Sequence, residues 1–224
     1  MKDREGKKYI IKVFESQWDD QHEESVKPFF QQLKREVLDE GHDALYTYYV
    51  FTGAESLQSA LNYKLDARVD GRLKIGYLGV HGQKDKIQAL HDIGRVKLRN
   101  MLFQTSAFDG LYFGACDFVN RKTAELMLNT MSTLKWIAGY SNWVPWTEGT
   151  ICDILFFKLL MSGRFTRPKT NARWDIIKKP EDAAMTLYNT FPMSLDLKFS
   201  LFYRSPDGSI RSTREDYVDR IMAL

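Results

Sequence analysis

RLKIGYLGVHG (residues 72–82) and GLYFGAC (residues 110–116) decide how this chain folds. Each is a near-continuous apolar run of strand length, as expected for strands covered on both faces of a parallel sheet. Each also ends on a side chain that a buried strand does not need. The first stops at an imidazole followed by glycine, His81-Gly82, and the second at a thiol preceded by alanine, Ala115-Cys116.

Outward from this pair, KYIIKVFES (8–16), ALYTYYVFT (44–52), LKWIAGY (134–140) and LDLKFSLFYR (195–204) are strand-like in their β-branched and aromatic content. Helical patterns lie between them. In 19–42, Val26, Phe29, Phe30, Leu33 and Val37 share one helical face, Pro28 sits early where a helix tolerates it, and Gly41 marks the stop. Further helical stretches fill 54–68, 94–104, 120–131, 147–163 and 179–191, and SPDG (205–208) signals a turn. Alternating strands and helices predict an α/β fold: a three-layer α/β/α sandwich with a mostly parallel central sheet of about six strands and helices on both faces. With 224 residues and no internal repeat, the chain reads as a single domain, 1–224, with its core at about 8–204. The pattern lapses in RFTRPKTNARWDIIK (164–178), which reads as a surface loop.

Composition narrows the function classes. The 32 basic residues are interspersed with 29 acidic ones, so no electrostatic footprint of a nucleic-acid binder stands out. No window reaches the ~18 apolar residues of a membrane span. ICDILFFKLLM (151–161) is too short and carries Asp153 and Lys158, and the charged N-terminus lacks a secretion signal. Cys116 and Cys152 form no CxxC pair, which predicts reduced thiols and a cytoplasmic location. The four histidines and two cysteines have no ligand-like spacing, so no metal is expected, and no GxSxG, P-loop or GxGxxG motif calls for a cofactor. Cys152 reads as core, and His22, His42 and His91 read as solvated.

In open α/β sheets, functional groups gather at the carboxyl ends of the strands. If the strands ending in His81 and Cys116 are neighbours, their backbones lie ~4.8 Å apart. A thiol near pKa ~8.5 is mostly protonated at neutral pH. An adjacent imidazole can take that proton and return it to a leaving amine. The helix expected after Cys116, from about residue 119, would further favour the thiolate. Gly82, lacking a side chain, can bring its N–H to a substrate carbonyl and share the developing oxyanion with the N–H of Cys116.

With a His-Gly closing the third core strand and an Ala-Cys closing the fourth, YLGVHG and LYFGAC make the chain resemble the caspase-like cysteine peptidases. That clan includes caspases, metacaspases, gingipains, legumain, separase and bacterial CHAT domains. The resemblance covers roughly 8–204 in element order and implies a cysteine endopeptidase acting on polypeptide through His81 and Cys116. It departs from caspases themselves, since Gly114 and Phe118 replace their Gln and Gly around the cysteine. The histidine and cysteine are also closer in sequence than the ~50 residues of caspases. Cleavage after aspartate is therefore not implied, and the closer likeness is to bacterial relatives such as CHAT-type proteins. By the same resemblance, Glu15, Ser16, Asp117, Tyr140, Trp143, Trp146 and Glu148 fall where the clan holds the residue preceding the cut. The carboxylates among them suggest a basic one, although Asp117 and Glu148 also suit helix starts. The alternative reading is a catalytically inactive caspase-like module for recognition or regulation, with a regulatory protein partner.

Overall fold

The computed structural model describes residues 8–16, 25–40, 42–63, 72–105, 108–162 and 179–223. The stretch 164–178, expected as a loop, lies outside them. A seven-stranded sheet forms the middle layer. Its strands are β1 (Lys8–Ser16), β2 (Asp43–Phe51), β3 (Leu73–Gly79), β7 (Gly110–Gly114), β8 (Trp136–Tyr140), β9 (Phe199–Arg204) and β10 (Ile210–Ser212). They lie in the order β10-β9-β8-β7-β3-β1-β2. The five from β8 to β2 are parallel, whereas β9 and β10 each run antiparallel to the preceding neighbour. The sheet has one strand more than the sequence suggests, because the three-residue β10 that follows the SPDG turn is too short to show a period. A second, small antiparallel sheet joins β4 (His81–Gln83), β5 (Lys86–Gln88) and β6 (Ile93–Gly94).

Helices cover both faces. On one side pack α1 (Lys27–Asp39), α5 (Trp146–Ser162) and α6 (Pro180–Thr190); on the other, α2 (Ala54–Asn62), α3 (Arg95–Thr105) and α4 (Arg121–Thr130). The four-residue α7 (Met193–Asp196) leads into β9, and α8 (Thr213–Met222) closes the chain. Successive strand residues point to opposite faces, and the two cores follow that period of two. Ile75, Tyr77, Tyr112, Trp136, Ala138 and Tyr140 enter the core beneath α1, α5 and α6. Leu78, Leu111, Phe113 and Ile137 enter the other. The expected helix over 19–42 is described from Lys27, with Pro28 in its first turn. No described helix is long and apolar enough to cross a membrane.

The connections explain why a cleft opens where it does. After β7 the chain leaves towards α4 on one face, and after β8 it leaves towards α5 on the other. Adjacent parallel strands whose connections diverge in this way leave a crevice at their carboxyl ends.

Candidate active site

The parallel register of β3 and β7 ends at the pair Gly79–Gly114. Two residues further along each strand stand His81 and Cys116. The Val80 N–H reaches back to the Gly114 carbonyl at 3.3 Å, which ties the two chains together just before they diverge. His81 opens β4 and is exposed, and Cys116 is half-buried. Both line one cavity of about 380 Å³, together with Gly82 and Gln83, Ala115, Tyr140, and the segment Trp143–Trp146. That volume falls in the range of small-molecule and peptide-side-chain pockets.

Gly82 lies against the cysteine's own backbone. A Cβ added to it would stand 2.1 Å from the carbonyl oxygen of Cys116 and 3.0 Å from the Cβ of Ala115. No other residue fits that contact, and it places the His-Gly and Ala-Cys dipeptides side by side. Directly after the cysteine, Asp117 takes a left-handed backbone (φ 52°) that non-glycine residues seldom adopt. Its N–H donates to the Asn142 carbonyl at 2.9 Å, and the Val119 N–H donates to the Tyr140 carbonyl at 2.9 Å. This turn fixes the chain leaving β7 against the chain leaving β8.

The sulfur's environment differs from the expectation of a pre-ionised thiolate. Burial pushes the Cys116 thiol up, and the nearby Asp117 carboxylate adds to the effect. The Val144 N–H opposes both by donating to Sγ at 3.3 Å. Helix α4 starts only at Arg121, capped by Asn120, whose side chain accepts the Thr123 N–H at 3.1 Å. With four residues between Cys116 and the first helical residue, the sulfur is not part of the cap, and burial wins.

Of the other sequence-derived residues, Tyr140, Trp143 and Trp146 line the cavity with His81 and Cys116. Asp117 lines an adjoining cavity. Glu15, Ser16 and Glu148 line neither. Glu15 is buried and accepts hydrogen bonds from the Val26 N–H (2.9 Å), the Ser25 hydroxyl (2.7 Å) and the Tyr48 hydroxyl. Helix α1 has valine at its N-cap and no side-chain cap of its own, so Glu15 does that work from the neighbouring strand. The Ser16 hydroxyl is buried without a hydrogen-bond partner among the described residues. Glu148 sits in the first turn of α5, where the helix dipole favours a carboxylate. Cys152 is fully buried, as its helical pattern predicts.

Asp153 is the residue that sequence reasoning missed. It rises from α5 into the floor of the cavity and is only 4% exposed. Tyr77 donates to its Oδ2 at 2.6 Å, and Tyr112 and Tyr140 donate to its Oδ1, each at 2.5 Å. These three tyrosines come from β3, β7 and β8, all on the sheet face that α5 covers. Burial pushes the Asp153 carboxyl up to about 6, against the three hydroxyls that hold it down. Gly114 leaves room for the arrangement: a Cβ there would fall 2.2 Å from the Tyr77 hydroxyl and 2.9 Å from Asp153 Oδ2.

No family model matches the chain, and no curated protein does. Solved structures do. One is a secreted C11 cysteine protease from Bacteroides thetaiotaomicron in complex with an irreversible peptide inhibitor, at 10% identity and TM-score 0.52. Another structure of a secreted C11 cysteine protease from the same organism, called iotapain, gives 10% identity and TM-score 0.55. Both alignments cover 88% of this chain, and they span 66% and 67% of those longer chains. The fold of this protein is thus the mixed α/β, caspase-like fold of the C11 cysteine proteases.

Proposed function

We propose that the protein is a cysteine endopeptidase in which Cys116 is the nucleophile and His81 the proton carrier. The observation that carries this reading is the close approach of Gly82 to the Cys116 backbone, with His81, Gly82 and Cys116 all among the residues lining one cavity. The likeness of fold to C11 cysteine proteases supports it. Because burial keeps the thiol protonated at rest, His81 acts at the moment of attack. The sulfur bonds to the scissile carbonyl carbon while its proton passes to the imidazole. The oxyanion that forms meets the N–H groups of Gly82 and Cys116. Its collapse breaks the C–N bond, and the imidazolium protonates the departing amine. Water then cleaves the thioester by the same steps in reverse roles, releasing the acid and restoring the thiol.

The residue before the cut is proposed to enter the cavity above Asp153. A buried carboxylate at the floor favours lysine or arginine, since a cation there gains a partner that water cannot screen. A panel of fluorogenic peptides differing at that residue tests both statements. Cleavage after Lys or Arg is expected, and it is lost in Cys116→Ala and in His81→Ala while thermal melting is retained. Undiminished turnover by Cys116→Ala overturns the peptidase reading. Best cleavage after Asp or Leu overturns the basic preference alone.

One observation favours the reading of an inactive recognition module, namely the raised thiol pKa. Peptide binding with no reaction of Cys116 towards peptide electrophiles would decide for it.

A further inference from the structure

A second cavity, of about 530 Å³, also borders Cys116. It shares Gly82, Gln83, Cys116 and Trp143 with the first, and adds Lys84, Asp85, Asp117 and Asn142. We infer that this cavity is the subsite for the residue on the leaving side of the scissile bond, and that it selects hydrophilic and preferentially basic residues there. The inference rests on the peptidase reading and extends it to the half of the substrate that departs first.

Three features argue for that side. The deeper cavity, floored by buried Asp153, is already suited to a side chain on the acyl side. The leaving nitrogen must stay within hydrogen-bond reach of the imidazole that protonates it. The hairpin that carries His81 continues through Gln83, Lys84 and Asp85 into β5, so its turn walls the second cavity. A chain passing over the sulfur from the first cavity, close to His81, therefore runs onto residues 83–85. Trp143, 70% exposed, lines both cavities, as do Gly82, Gln83 and Cys116.

The lining sets the chemistry. Apart from Gly82, Cys116 and Trp143, every lining residue is polar or charged, and two carboxylates face one ammonium. Among the described residues no salt bridge within 4 Å engages Asp85 or Asp117; Lys86 is paired with Asp92 and is only further held protonated by the charge of Asp85. An apolar residue would gain little burial in so open and polar a site, and an acidic one would meet like charge. Lysine or arginine finds two carboxylates, one of them on the backbone turn next to the nucleophile.

The test uses internally quenched peptides with a fixed acyl side and Lys, Ala, Leu or Asp as the first residue after the cut. In the wild-type protein, kcat/KM for the Lys peptide should exceed that for the Asp peptide by about three- to tenfold. Asp85→Asn should reduce the ratio by at least half. In parallel, binding of the same intact peptides to Cys116→Ala is titrated by tryptophan fluorescence, with and without Asp85→Asn. Turnover with no Lys-over-Asp preference overturns the subsite and leaves the peptidase reading standing. Preference in binding to Cys116→Ala without any wild-type turnover overturns the peptidase reading, and with it the leaving-side assignment, and leaves the cavity as a binding site for a basic side chain. Absence of both overturns both.

Discussion

The main chain of Val144 brackets the sulfur of Cys116: its N–H donates to Sγ at 3.3 Å, and Sγ lies 3.5 Å from its carbonyl oxygen as a donor. One residue of the segment after β8 thus offers the resting thiol an acceptor for its proton and offers the anion a donor. The same contact lets the cysteine exist in either protonation state without leaving a buried group unpaired.

Reactivity of the thiols follows from this environment. In His81→Ala, alkylation of Cys116 by iodoacetamide should show its half-maximal rate above the ordinary thiol value of ~8.5, since burial raises the pKa and no imidazole remains to assist. Cys152, fully buried in α5 and with its thiol pushed up by burial, should be labelled only after unfolding. Mass-spectrometric mapping of the label against pH checks both. An inflection near 6 or 7 in His81→Ala would mean that something other than His81 ionises the sulfur.

Gly82→Ala isolates the geometry on which the site is built. The added methyl cannot occupy 2.1 Å from the Cys116 carbonyl oxygen, and the obstacle is backbone, so one of the two chains must shift. A displacement near 1 Å at reacting groups costs about 10²-fold in rate. The expected outcome is a fall in kcat/KM of about that size, with a melting temperature lower by only a few degrees. Steady-state kinetics beside a thermal melt measure both. Full activity would show that the close approach plays no part in catalysis.

The parallel strands and the two dipeptides were legible because their signals are local. Strand length, unbroken apolar character and a His-Gly or Ala-Cys ending can each be read within a dozen residues, and the register of β3 on β7 then places the ends together. Asp153 was not legible for the opposite reason. Within ICDILFFKLLM it reads as a stray polar residue in an apolar helix. Its partners Tyr77, Tyr112 and Tyr140 come from three strands spread along the chain and meet only when α5 crosses them. Glu15 differs in another way: the resemblance implies a place in the cleft for a carboxylate at the end of β1, but the uncapped N-terminus of α1 claims it. Short elements such as β4, β6 and β10 gave no period to read at all.

Substrate choice should depend on pH through Asp153. Its carboxyl, pushed up to about 6 by burial, is an anion above that pH and neutral below it. A basic residue before the cut gains from the anion only. The ratio of kcat/KM for a lysine substrate to that for an isosteric norleucine substrate should therefore be flat above pH ~7. Below about 6 it should fall by up to tenfold per pH unit until the neutral-state ratio is reached. Ionisation of His81 and Cys116 affects numerator and denominator alike and cancels. A ratio independent of pH from 5 to 8 would remove Asp153 from recognition.

The same carboxylate should make the fold less stable at neutral pH than in mild acid, within the contribution of this one group. The folded value of about 6 lies above the unfolded value near 3.9, so the folded state holds the proton more tightly. The stabilisation is complete below about 3.9, fades as pH rises through about 6, and is absent above it, a swing of about 3 kcal/mol. Asparagine keeps the shape, accepts from two tyrosines through its oxygen and donates to the third. Asp153→Asn should thus melt at a higher temperature than the wild type at pH 8, with the gap closing as pH approaches 4, while the preference for a basic substrate residue disappears. Gain of stability with loss of recognition in one substitution marks a residue kept for function at a cost to the fold. A destabilised Asp153→Asn at pH 8 would instead assign the carboxylate to holding the three strands together.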